Sequence, residues 1–216
     1  MRGRALSTLT AMALAATAAG AAGCRTGSGG AQPVIVQPGA PGQASRVIGA
    51  AQASDLSRVQ HTAADVKFMQ GMIGHHAQAI EMTALIPART AREDMKMLGL
   101  RISLSQEDEI KMMRRWLETR GAAQPSEHAH HMPGGMMPGM LTPQEMERLG
   151  ASKGPEFDKL FLEGMIKHHE GALTMVKELF AVAGAGQESD IFAFATDVEA
   201  DQQMEIDRMV DMLRTR

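Results

Sequence analysis

Apolar positions recur in steps of three and four along this chain, the spacing that puts side chains on one face of an α-helix. One stripe holds Phe68, Met72, His75, Ala79, Met82 and Ile86, and a second beside it holds Met69, Ile73, His76 and Ile80. About ninety residues later both stripes return. The first becomes Phe161, Met165, His168, Ala172, Met175 and Leu179, and the second Leu162, Ile166, His169, Leu173 and Val176. Local signals bound the helices. Thr62 with Asp65 three residues on forms a variant capping box that opens the first helix, and Pro87 stops it. Thr90 with Glu93 repeats the box for a second helix, which runs to Gly121. Thr142-Pro143-Gln144-Glu145 opens a short helix. Pro155 opens a third long helix, which ends around residues 184–186, and a fourth runs from about Ser189 to the C-terminus.

The similarity extends beyond periodicity. F-x-x-G-M-I-x-H-H-x-x-A-x-x-M reads through residues 68–82 and again through 161–175. Gln106-x-x-Glu109-Ile110-x-x-Met113-x-x-x-Leu117 matches Gln202-x-x-Glu205-Ile206-x-x-Met209-x-x-x-Leu213. The repeated unit is therefore a helical hairpin. Two such hairpins joined by a long crossover predict an all-α, antiparallel four-helix bundle. Gly71 and Gly164 recur at the same place, although glycine costs a helix interior about 1 kcal/mol. Their recurrence implies close helix approach near the histidines.

Composition agrees with helices. Aromatic residues are only 3% and Tyr is absent, so the apolar content is mainly Ala, Leu, Ile and Met. The formal charge of -3 and the lack of a Lys/Arg block exclude an electrostatic footprint for nucleic acid. A single cysteine, Cys24, excludes an intramolecular disulfide.

Residues 1–24 read as an export signal. Met1-Arg2-Gly3-Arg4 is basic, and the apolar run Ala5 to Ala19 is too short for a stable membrane span. Ala21-Ala22-Gly23-Cys24 resembles a bacterial lipobox, with Ala21 where Leu is usual, and makes Cys24 the candidate lipidation site. The alternative is ordinary cleavage near Ala22 or Gly23. Loss of Arg2 and Arg4 with the signal lowers the charge by two more. Residues 25–60 begin rich in Gly, Ala, Gln and Pro and read as a flexible tether. Residues 61–216 form the helical domain, with residues 122–141 as its Met/His-rich crossover. The expected location is the periplasm or outer cell surface, with the membrane reached through a lipid anchor.

The chemistry of the chain is in its histidines and its 19 methionines. Seven of the eight histidines lie in the two helical motifs or in the crossover. Adjacent histidines on a helix point about 100° apart. Met72 lies three and four residues before His75 and His76, so its thioether is a turn from both. Met165 stands likewise before His168 and His169, while Met82 and Met175 follow in the same stripes. An imidazole buried in an apolar face needs a partner, and a metal supplies one. The alternative is one hydrogen-bonded core histidine and one solvated histidine in each pair. The crossover offers a second set: His128, His130, His131, Met132, Met136, Met137 and Met140, interspersed with Gly and Pro. The alternative there is a low-complexity linker. Imidazole with thioether is the donor set of a soft ion, Cu(I) above all.

The paired M-I-x-H-H motifs, the Q-x-x-E-I-x-x-M segments and the exported N-terminus resemble the bacterial domain-of-unknown-function family numbered 305, over roughly residues 60–215. The resemblance implies a ferritin-like four-helix bundle and copper binding outside the cytoplasm, as in its CopM-like members, through Met and His. The expected function is sequestration or delivery of Cu(I), with Ag(I) as an analogue, and a copper-transport or efflux partner. No enzymatic activity is expected. Two other readings compete. A di-iron oxidase needs Glu-x-x-His motifs, but Met72, Ile73, Met165 and Ile166 occupy the positions where their glutamates would stand. A metal-independent envelope interaction protein would leave the histidines incidental.

Overall fold

The computed structural model describes residues 34–37, 44–53, 60–125, 131–132 and 135–215. The chain divides into two compact units, residues 1–55 and 56–216. In the first, β1 (Ile35–Gln37) pairs antiparallel with β2 (Arg46–Ile48), and α1 (Ala50–Ala53) follows. The stretch expected to be a spacer thus contains two short strands. The β-branched residues Ile35, Val36, Val47 and Ile48 supply the propensity.

The second unit holds α2 (Ala63–Ala84), α3 (Ile86–Arg89), α4 (Glu93–Thr119), β3 (His131–Met132), β4 (Gly135–Met136), α5 (Pro143–Ala151), α6 (Gly154–Ala181) and α7 (Ser189–Arg214). It is predominantly helical, and among the described residues no helix is long and apolar enough to cross a membrane. Thr62 and Thr142 form complete capping boxes with Asp65 and Glu145, as their spacing predicts. The box expected at Thr90 does not form. Pro87 fits the first turn of α3 instead of ending the helical path, because a proline there removes no hydrogen bond. Thr90 then terminates α3 and accepts the Arg92 N–H through Oγ1, and α4 starts at Glu93 with no side-chain cap. Within the crossover, β3 and β4 pair antiparallel over two residues each.

α2 packs along α4, α6 along α7, and α2 against α6. The core falls into two apolar clusters. One joins Phe68, Met72 and Ile73 of α2 to Met113, Trp116 and Leu117 of α4, Met175 and Leu179 of α6, and Ile191 and Phe194 of α7. The other joins Met82 of α2 to Met95 and Ile102 of α4, Phe161 and Met165 of α6, and Met209 and Met212 of α7. Early residues of α2 therefore meet late residues of α4 and α6, which makes both pairs antiparallel. Each fully buried side chain of this kind contributes about 1.5–3 kcal/mol. Between the clusters, in sequence and in space, lie the four helical histidines.

Two clasps tie the helix ends. Asp65 Oδ1 accepts the Gly186 N–H at 2.7 Å, joining the start of α2 to the turn before α7. Glu188 accepts from Trp116 Nε1 at 3.1 Å and from Arg120 at 2.7 Å, joining the end of α4 to the start of α7.

The end of the crossover, residues 137–141, lies against the helices as a strap. Gln78 holds Leu141 by both backbone groups, donating to its carbonyl at 2.9 Å and accepting its N–H at 2.8 Å. Gly139, at φ +73°, lies against Gly171 of α6, where a Cβ on either residue would collide with the opposing backbone. Gly164, singled out by the repeat, faces Leu141 and Met82.

Candidate metal centre

Helical spacing and burial place His75, His76, His168 and His169 fully inside the protein, each with 0% exposure. The rings of His75 and His168 approach with centroids 3.8 Å apart and planes inclined by 37°, at the α2–α6 contact. His76 and His169 diverge from their neighbours, with centroids 6.5 and 6.2 Å away, and face the partner helices of their own hairpins.

All four rings are held the same way, through Nε2. His75 Nε2 donates to the Pro138 carbonyl at 3.0 Å, and His168 Nε2 donates to the His75 carbonyl at 3.0 Å. His76 Nε2 donates to Glu109 Oε2 at 2.5 Å, and His169 Nε2 to Glu205 Oε2 at 2.7 Å. A carbonyl or carboxylate oxygen only accepts, so Nε2 carries the hydrogen in each case. With the hydrogen on Nε2, the lone pair of a neutral ring is on Nδ1. All four Nδ1 atoms are buried without a hydrogen-bond partner. Burial, and then the neighbouring His76, pushes His75 down to about 3, so this ring is neutral at physiological pH. Burial also holds His168 well below its ordinary range, with His75 and His169 adding to the effect.

The two carboxylates lie on the repeat-related segments of α4 and α7. Burial works to raise the Glu109 carboxyl, but its hydrogen bonds with His76 and Ser105 oppose burial and it is held below the usual range. Burial raises Asp201, and the charges of Glu109 and Glu205 raise it further. Glu109, Asp201, Ser105 and Asp197 line a cavity of about 730 Å³ between α4 and α7. Gln106 and Gln202, one turn before the two glutamates, are buried, and Gln106 has no partner for either amide atom.

The sulfur atoms fall into two groups. Met72 and Met175 share one apolar cluster, and Met82 and Met165 share the other. This follows from the antiparallel α2–α6 contact, which sets the start of one motif beside the end of its copy. The crossover divides too. Met137 and Met140 are buried in the cluster of Met72 and Met175, while Met136 is 38% exposed. His128 and His130 lie outside the described residues, and His131 and Met132 are described only as the backbone of β3. Sequence reading missed Glu109 and Glu205 as histidine partners. The signal was present in the repeated Gln-x-x-Glu-Ile, but only the packing shows what each glutamate meets.

Among the described residues, no three His, Cys, Asp or Glu side chains are grouped to hold a metal ion. Imidazole nitrogens with free lone pairs are nevertheless buried between clusters rich in thioethers, so sulfur is the donor available to complete a set. Such a donor set fits a soft ion and not a hard one. The fold and site thus define a predominantly helical protein with four buried imidazoles between two Met-containing apolar clusters.

The family model of DUF305, a domain of unknown function, matches residues 65–213, and the chain belongs to that family. A DUF305 protein of Streptomyces coelicolor is similar in structure, with TM-score 0.61 and 29% identity over 70% of this chain and 91% of that one. A DUF305 fragment from Deinococcus radiodurans gives TM-score 0.62 and 28% identity over 72% and 99%. CopM in its Cu(II)-bound form gives TM-score 0.59 and 26% identity over 70% and 96%. CopM in its Cu(I)-bound form, at 23% identity and TM-score 0.56, shares the fold. No curated protein matches the chain.

Proposed function

We propose that this protein is a cell-envelope copper-binding protein that sequesters Cu(I), with Ag(I) as an analogue, or passes it to a transport or efflux partner. Its four long helices are read as an antiparallel, ferritin-like bundle built from two copies of one hairpin. The observation that carries this reading is the set of four buried Nδ1 atoms with no partner, on helices whose neighbouring turns carry buried methionines. A lone pair left unpaired in an apolar interior is costly, and a soft ion relieves that cost. The likeness to copper-bound CopM supports the choice of metal. The ion is cargo, held by His75, His76, His168 and His169 with Met72, Met82, Met165 and Met175, while Met137 and Met140 add sulfur from the strap.

The competing readings have less support. A di-iron oxidase would need carboxylates free to bridge ions, whereas Glu109 and Glu205 are each engaged by a histidine. An interaction protein gives no reason for four buried Nδ1 atoms without a partner. Binding without catalysis is the reading adopted. Export and anchoring through Cys24 rest on the sequence, because residues 1–24 lie outside the described residues.

Anaerobic titration of the protein with Cu(I), Ag(I) and Zn(II), in competition with a chromogenic chelator, tests the proposal. Cu(I) and Ag(I) should bind more tightly than Zn(II). Replacing all four helical histidines with Ala should abolish the tightest phase. Zn(II) held as tightly as Cu(I), or a tight phase that survives the replacement, would overturn it.

A further inference from the structure

Two pairs of facing groups recur in the protein, one in each hairpin. His76 on α2 meets Glu109 on α4, and His169 on α6 meets Glu205 on α7. In each pair the ring is fully buried, its Nε2 is bound to one carboxylate oxygen, and its Nδ1 has no partner. The second oxygen of each carboxylate is engaged from α4. Ser105 Oγ donates to Glu109 Oε1 at 3.0 Å, and Arg101 Nε lies 3.4 Å from Glu205 Oε1. Each carboxylate is thus fixed before it fixes its histidine.

We propose that Glu109 and Glu205 are positioning residues that lock His76 and His169 as Nε2–H tautomers, so that two Nδ1 lone pairs are presented to the cargo ion. This rests on the copper-binding reading above. With the opposite tautomer, an Nε2 lone pair would face a carboxylate lone pair at 2.5 Å in the first pair and 2.7 Å in the second, which is repulsive. The carboxylate adds something that the carbonyls holding His75 and His168 do not. Its negative charge makes the ring a more basic donor and offsets the charge of an incoming cation. The outer pair is thereby distinguished from the inner pair by chemistry as well as direction.

Long-range nitrogen–proton NMR correlation on the metal-free protein reads the tautomers directly, with no variant needed. His76 and His169 should both be protonated at Nε2 and unprotonated at Nδ1. In Glu109→Leu, His76 should lose that preference while His169 keeps it, and Glu205→Leu should do the reverse. Each Leu variant should bind Ag(I) about 10–100-fold more weakly. Glu109→Gln, which retains an oxygen but not the charge, should recover part of the loss. A wild-type ring protonated at Nδ1, or folded Leu variants with unchanged Ag(I) affinity, would overturn the proposal. If the wild-type rings are as expected but no Ag(I) is taken up, the copper-binding reading itself fails.

Discussion

At the scale of single residues, the protein stores its chemistry as unmet hydrogen-bonding capacity. The interior satisfies one nitrogen of each helical histidine and leaves the other bare. This has a consequence for the metal-free protein. The folded pKa of His75 is about 3 and the ordinary value is 6.5, so between those values the unfolded chain binds the extra proton. Stability is then fully present above about pH 6.5 and declines as the pH falls towards 3. His168, also held low, acts in the same direction. Each pH unit between 6.5 and about 3 costs up to about 1.4 kcal/mol for His75. Thermal melts of the metal-free protein should show the midpoint falling from pH 7 to pH 4. A His75→Gln/His168→Gln variant should flatten that slope, and an equal slope in both proteins would contradict the account.

At the scale of elements, the strap of residues 137–141 decides the character of the site. Its Pro138 carbonyl receives His75, its Leu141 is bracketed by Gln78, and its Met137 and Met140 enter the core. Gly171 makes this approach feasible. Gly171→Ala should push the strap away from α6 and destabilise the fold by about 1–3 kcal/mol, as overpacking does. Denaturant titration measures this, and a neutral substitution would mean the strap is loosely held. Gln78→Leu should cost about 1–3 kcal/mol by leaving both backbone groups of Leu141 unpaired. A loss well below that range would mean another group takes over the role of Gln78. At this scale the long helices were legible because their stripes and end signals agree. The exception was Thr90: the sequence shows a capping pattern there, but the turn through Pro87 uses that threonine to end a helix.

At the scale of the whole molecule, the copper-binding reading separates capacity from affinity. The helical site lies on packed elements, whereas closing a loop of Gly, Pro, His and Met on an ion carries an ordering cost. Deleting residues 127–135 should lower the number of ions bound and preserve the tightest phase, since Met137 and Met140 remain. Copper titration of the deletion variant decides this, and loss of the tightest phase would place the principal site in the crossover. The proposed anchor is tested separately. Cys24→Ala should release the protein from the membrane with its copper stoichiometry unchanged. Intact-mass analysis of the exported protein showing an unmodified Cys24 would refute the anchor.

Local order in the chain was enough to determine which long stretches are helical, that one sequence motif recurs, and that His75, His76, His168 and His169 occur among apolar positions with methionines nearby in sequence. Those properties depend on residues three or four apart on one helix. What Glu109, Glu205, Pro138, Met137 and Met140 do was decided only by tertiary structure. Each acts on a partner from another element, between 33 and 63 residues away for the three histidine contacts. Helical periodicity says which face a side chain occupies, but it does not say which face of another helix it will meet. The antiparallel α2–α6 contact supplies that answer. It brings His75 against His168 and sorts the methionines into two groups.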